Sequence, residues 1–285
     1  MKNQTDIREL FTPMQPQAAP LSEKIFITEV LPDVRLKPYI WCYWEIKSRK
    51  PLEEDFFCKI ASDGCIDIFV NVNNPHESYA MGFYNRSSTY VLGSCFHYAG
   101  VRFLPGMFSY LFNTKASELS NAVEFMDAVH KNTSKFLIEN IRPGDSIHDI
   151  RSVFDKYFMQ NLHHVGNEFD PRVYEAILII LKNTKSLNIE NDVSKIVGVS
   201  PRHLRRLFDF YIGHNIKSFA RVVRFQNYLK AHSESINVAP GSLYYDFGYY
   251  DQGHFIKEFK TFSGDTPSKM ADLYNTLRCS RASFI

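Results

Sequence analysis

Between about Ile25 and Phe112 the apolar residues come in short β-branched and aromatic runs, "YIWCYWEIK", "CIDIFVNV", "STYVLG" and "HYAGVRFLPG". The turn formers "SDG", "NVNNP" and "YNRSS" separate them. Several short strands at such spacing predict a β-rich sandwich or barrel. From Ser117 to His164 the period changes. Ile147, Ile150, Phe154, Tyr157 and Leu162 recur at helical intervals, so "SIHDIRSVFDKYFMQNLHH" reads as an amphipathic helix. Its apolar stripe either packs on its own domain or forms a dimer seam. Asp170 followed by Pro171 is a helix start, because Asp caps free N–H groups and Pro suits the first helical position. Beyond that point the pattern is helical throughout.

The helical region repeats itself. An apolar residue, a four-residue gap and Gly occur as Val193 to Gly198 and again as Leu243 to Gly248. The helices that follow carry Leu204, Phe208 and Gly213 in the first copy and Phe255, Phe259 and Gly264 in the second. Each copy is therefore a helix, a Gly-containing turn and a second helix, an arrangement that projects the second helix from a compact body. A plain hairpin of helices would share the spacing, and the content favours projection. In "SPRHLRRLF" the positions left over by the core are Arg202, His203, Arg205 and Arg206, and Arg suits guanine edges and phosphates. Between the copies "HNIKSFARVVRFQNYLKAHSES" is one continuous helix with Ile216, Phe219 and Val223 on one face. It is long enough to hold two projecting helices about one DNA turn, or about 34 Å, apart.

Length and composition bound the alternatives. The chain has 285 residues, 45% hydrophobic and 15% aromatic, which predicts two domains with real cores. Its longest apolar run, Ala176 to Leu181, is far short of a membrane span, and "MKNQTDIREL" does not read as a secretory signal; the expected location is the cytoplasm. Cys42, Cys58, Cys65, Cys95 and Cys279 form no CxxC pair and read as reduced, mostly buried thiols. The net charge of +2 divides unevenly. Residues 170–285 hold 16 Lys+Arg against 11 Asp+Glu, or +5, and residues 1–169 hold 17 against 20, or −3. The surplus of positive charge falls on the helical half, as a polyanion-binding domain requires.

At this point the residues resemble the DNA-binding domain of the AraC/XylS family of bacterial transcription regulators. "GVSPRHLRRLF", the Arg–Phe of "VVRF" and "GYYDQGHFIKEFKTFSGDTPSKM" carry the resemblance, which covers about residues 170–275. With the Pro- and Gln-rich, aperiodic residues 1–22 read as a flexible arm and the strand runs as a β-rich half, it implies an α+β chain of two domains: the arm over 1–22, a β-rich sensory or dimerisation domain with flanking helices over 23–165, an all-α domain of two helix–turn–helix units joined by a linker helix over 170–275, and a tail over 276–285. Base contacts would come from Arg202, Arg205 and Arg206 in the first unit and from Gln252, Gly253, His254 and Lys257 in the second, with His203 beside them. Arg221, Arg224 and Lys260 would bind phosphates. Asp251 is expected to cap its helix. The implied partners are double-stranded DNA and, further, RNA polymerase, a small-molecule effector and a second copy of the chain. Tyr244 and Tyr228 stand where the family commonly has small residues, which implies repacking in the second unit.

The N-terminal aromatics divide between two readings. Trp41, Tyr43, Trp44, Phe83, Tyr84, Tyr90, Phe96 and Tyr98 are strand core or the lining of an effector pocket, and alternation along "WCYW" splits those rings between two faces. Trp41, Trp44 and Arg102 are the candidate ligand residues, Arg102 pairing either a carboxylate ligand or an internal acid. No H-x-H, G-x-S-x-G, H-E-x-x-H or Gly-rich phosphate loop is present, so neither a metal site, a cofactor nor an enzymatic activity is expected. The rival to a DNA-binding regulator is a small-molecule-binding or interaction protein in which the AraC-like half is an ancillary tether.

Overall fold

The computed structural model describes residues 6–16, 24–162, 169–183, 188–234 and 244–270. Among the described residues of the N-terminal half are eight strands: β1 (Ile25–Val30), β2 (Ile40–Ser48), β3 (Phe57–Ile60), β4 (Asp67–Asn71), β5 (Ser78–Met81), β6 (Ser88–Val91), β7 (His97–Phe103) and β8 (Val123–Phe125). Six of them make one antiparallel sheet in the order β1-β2-β7-β4-β5-β8, and β3 pairs with β6 as a separate ribbon. The expected sandwich or barrel is thus a single sheet plus a two-stranded ribbon. The sheet's other face is covered by helix, not strand.

That cover is the helix read from the sequence, which runs Ile147–Leu162 and buries Ile147, Ile150, Phe154, Tyr157 and Phe158. The Phe154 ring packs 5.2 Å from Tyr43, and the Tyr43 hydroxyl donates to Asp155 at 2.9 Å. Its apolar stripe is therefore spent on its own domain. Further helices here are Ile7–Leu10, Met107–Phe112, Met126–Val129 and Lys131–Asn140. In chain order these five are α1 (Ile7–Leu10) to α5 (Ile147–Leu162). The helical half adds α6 (Pro171–Lys182), α7 (Ile189–Ile196), α8 (Pro201–Tyr211), α9 (Ile216–Glu234) and α10 (Gln252–Ser263). Asp170 caps α6 by accepting from the Arg172 N–H, with Pro171 in the first turn.

Two expectations need correcting. Residues 6–16 of the supposed flexible arm are tied down, because Ile7 and Phe11 are buried and Arg8 donates to the carbonyls of Lys37, Ile40 and Trp41. Trp41 does not join Trp44; the Arg8 guanidinium stacks on its ring at 4.6 Å, as the alternation along β2 demands. Of the described cysteines, Cys42 and Cys65 are buried, Cys58 is half-buried and Cys95 is exposed. Burial raises the pKa of the Cys42 and Cys65 thiols well above the ordinary value, which makes them poor nucleophiles. Cys279 lies outside the described residues, as does the 276–285 tail.

The two halves share one core. Phe219 of α9 lies against Phe83, and a Cβ on Gly64 would stand 3.3 Å from the Phe219 ring. Around these rings the contacts are polar: Gln226 of α9 donates to the carbonyls of Ser62 (2.7 Å) and Met14 (3.3 Å) and accepts from the Met14 N–H (2.6 Å). Gln226 is fully buried, so its removal strands three backbone groups. Gln226→Leu is expected to lower stability by about 1–3 kcal/mol. Chemical denaturation checks this, and limited proteolysis near residues 6–16 should accelerate in the variant.

Candidate functional site

The first unit is α7, a turn and α8. Gly198 turns the chain at φ 71°, a conformation that favours glycine, and Ser200 accepts from the His203 N–H at 3.2 Å to start α8, with Pro201 next. Leu204, Leu207 and Phe208 face inward, while Arg202, Arg205 and Arg206 are exposed. Arg205 is ion-paired to Glu190 of α7, the Arg206 guanidinium sits 3.1 Å from half-buried His203, and Arg202 makes no ion pair among the described residues. These residues line a basic concavity of about 700 Å³ that also takes in His214 and Asn215.

The second unit repeats the plan one register on. Gly248 turns at φ 78°, Asp251 accepts from the His254 N–H at 2.7 Å, and α10 buries Phe255, Phe259 and Phe262. The C-terminal glycines of the two projecting segments, Gly213 and Gly264, are also left-handed, at φ 88° and 79°. All four glycines of the sequence repeat thus serve one backbone need. Gln252, Gly253, His254, Lys257 and Lys260 are exposed. A Cβ on Gly253 would meet only Asp251, at 3.3 Å, so neither space nor backbone demands glycine there. The first helix of this unit is represented, among the described residues, by a single 3-10 turn, Tyr244–Phe247; Leu243 lies outside them. Tyr228 is buried 4.8 Å from Phe255, on which Tyr244 stacks at 5.7 Å, so the bulky rings pack on the core phenylalanine of α10. Tyr250, just before the cap, is almost fully exposed and was not singled out in the sequence.

One residue the sequence reading missed anchors α10. Glu258 is buried, with Arg221 donating to it at 2.6 Å and the Arg224 guanidinium and His254 ring standing 3.5 Å and 3.7 Å from its carboxylate. Arg224 also donates to the Gly248 carbonyl at 3.0 Å and lies over the Tyr249 ring. Burial, then the Glu258 charge, raises the pKa of the Tyr249 phenol. Arg224, expected as a phosphate contact, is instead turned inward, because a buried carboxylate needs its charge. Arg221 is half exposed and keeps one edge toward solvent. The spacing Phe255, Glu258, Phe259, Phe262 could have revealed Glu258, since it places the acid on the core face of the helix.

The N-terminal half holds a cavity of about 600 Å³ between the sheet and the β3–β6 ribbon. Trp44, Phe69, Tyr79 and Tyr98 line it, and Arg102 and Asp67 stand in its wall. Gly100 lets the Trp44 indole lie flat on the sheet, since a Cβ there would fall 2.7 Å from the ring. The indole N–H donates to Asp67 at 3.0 Å. Arg102, fully buried, donates to both Asp67 oxygens at 3.2 and 3.0 Å and stands 3.4 Å from Asp63. Burial raises the pKa of the Asp67 carboxyl to about 6, and Arg102 offsets part of the effect. Of the two readings of Arg102, the geometry supplies the internal acid. Of the aromatics named from sequence, Trp44, Tyr90 and Tyr98 line the cavity and Tyr43, Phe83 and Phe96 are core.

Residues 193–272 match a family described as a helix-turn-helix domain. This stretch is an AraC-type DNA-binding domain. Residues 28–124 match a domain of unknown function, DUF6597, which contains most of the cavity wall. No curated protein matches the chain. Among solved structures the chain is similar to ToxT from Vibrio cholerae, with 10% identity over 87% of this chain and 97% of that one, at a TM-score of 0.42. It is also similar to unsaturated fatty acid-bound ToxT, with 10% identity over 88% and 96% and a TM-score of 0.43. No described helix is long and apolar enough to cross a membrane.

In the AraC-type domain, Arg224→Ala leaves Glu258 short of a charge partner in the core. It is expected to cost roughly 3 kcal/mol of stability and to weaken cognate and random DNA binding alike. Denaturation and binding titrations on both DNAs check this.

Proposed function

We propose that the chain is a sequence-specific transcription regulator whose AraC-type domain reads DNA with α8 and α10 and whose cavity admits a small-molecule effector. The observation that carries the DNA reading is the pair of capped helices, each with an apolar face buried and a basic and polar face outward. In this reading Arg202, Arg205 and Arg206, with His203 at the edge, face one major-groove segment. Gln252, His254 and Lys257 face the next, Gly253 permits close approach, and Arg221, Lys260 and Tyr250 contact the backbone. Arg205 must exchange Glu190 for DNA, which makes its contribution smaller than that of Arg206. A second copy of the chain and RNA polymerase complete the proposal at the promoter, and the cytoplasm is its location.

Effector gating has its own support. The ribbon that covers the cavity also holds the end of α10: Lys59 of β3 binds Asp265 at 2.6 Å, and the Ser87 N–H, just before β6, donates to the Thr261 carbonyl at 2.8 Å. The Ser62 N–H, just beyond β3, donates to the Phe262 carbonyl at 2.9 Å. A ligand that shifts the ribbon therefore moves the contacts that orient α10.

Selection of bound sequences from random DNA tests the proposal, since no enriched site would remove it. On the selected site Arg206→Ala is expected to lose about 1–3 kcal/mol with little loss on random DNA. Lys260→Ala should weaken both and flatten the salt dependence by about one unit of slope.

A further inference from the structure

We propose that the ligand of the sheet–ribbon cavity is a lipophilic organic cation, a bulky aromatic or alkyl body bearing a positive charge. The inference rests on the effector reading of this cavity and names the chemical class it takes. Its ground is a mismatch between the cations and anions of the wall. Lys59 is bound to Asp265 at 2.6 Å, and Arg102 is held between Asp67 and Asp63. Neither is free for an anionic ligand, and withdrawing Arg102 would leave two buried acids without their cation, a costly exchange.

The acids outnumber the bases. Among the lining residues are Glu29, Glu45 and Asp67 against Lys59 and Arg102. Glu45 is satisfied by His97 at 2.8 Å and Lys47 at 3.0 Å. Glu29 is different: it sits opposite Trp44 in the β1–β2 register, is exposed at the cavity, and forms no ion pair among the described residues. Its charge reaches inward, since after burial it is the largest influence raising the pKa of the Cys42 thiol.

The aromatic wall supplies the rest. Phe69 is the centre of a cluster, 6.1 Å from Trp44, 5.1 Å from Tyr79 and 6.1 Å from Tyr98, the last edge-on. The ring faces present negative potential, and no cation of the protein is stacked on any of these four rings among the described residues. Several π faces beside an unpaired carboxylate, in a largely apolar cavity, are the chemistry that selects an organic cation over a neutral or anionic molecule of the same shape.

Tetraphenylphosphonium and tetraphenylborate share a shape and differ in sign, which makes them the probes. In full-length Trp41→Phe protein, Trp44 is the remaining tryptophan and reports on the cavity directly. The phosphonium should quench Trp44 saturably and raise the thermal midpoint, while the borate does neither. Glu29→Gln, at an exposed position, should weaken the phosphonium about threefold to fivefold. Tyr98→Leu, which keeps bulk but removes a π face, should weaken it about threefold. Equal binding of the borate, no binding of the phosphonium, or unchanged phosphonium affinity in Glu29→Gln overturns the assignment. Affinity for the selected DNA, measured with each ion, separates this from gating. Phosphonium binding without a change in DNA affinity removes gating and leaves the ligand class standing. Borate binding with a change in DNA affinity does the reverse.

Discussion

Everything in the molecule leans on α9. A surface helix buries one stripe, whereas this one buries Ile216, Phe219, Val222, Val223, Phe225, Gln226, Tyr228 and Leu229, residues that go most of the way around it. On one side Phe225 meets Phe259 and Phe262 of α10, and Tyr228 meets Phe255. On another, Phe219 meets Phe208 of α8 and also Phe83 of the β-rich half. The two projecting helices, α8 and α10, are therefore positioned against a common rod, and the rod is itself seated on the β-rich half.

That seating is largely polar at its rim. His214 bonds the Phe83 carbonyl at 2.9 Å, Ser120 the Gly213 carbonyl at 2.5 Å, and Lys115 pairs with Asp209 of α8 at 2.8 Å. Hydrogen bonds and exposed ion pairs can be exchanged for water at small net cost, unlike a continuous apolar interface. Both α8 and α10 have their inner ends fastened this way, α8 through Asp209 and Gly213 and α10 through Thr261, Phe262 and Asp265. A shift in the β-rich half would thus reach both units at once, while the Phe219 contact keeps the halves together.

The sequence disclosed what depends on local rules. Left-handed glycines, caps at Ser200 and Asp251, and the Phe–Phe spacing of α10 are set within a few residues, and they gave both units. The covering helix of the β-rich half followed from its period in the same way. What depends on distant partners was hidden. Strand order brings Asp67 beside Arg102 from 35 positions away, and α9 brings Arg221 to Glu258 from 37. A single sheet with a ribbon and a barrel have the same strand alternation, so the architecture was open until pairing was known. The arm at residues 6–16 looked unstructured because its order comes from Gln226 and from carbonyls of β2 and the segment before it, and its composition carries no sign of either.

Arginine is the instructive case. Five were read as facing a partner in the helical half and one in the β-rich half, and the structure divides them by where the nearest acid lies. Arg202 and Arg206 pair with none among the described residues, Arg205 and Arg221 hold one while staying partly exposed, and Arg224 and Arg102 are absorbed by buried carboxylates. A buried acid cannot remain ionised without a cation and donors, so each claims the arginine that the fold brings within reach. The same accounting that turns Arg224 inward takes Arg102 out of reach of an anion in the cavity, and among the described residues it leaves Glu29 as the cavity carboxylate with no ion pair.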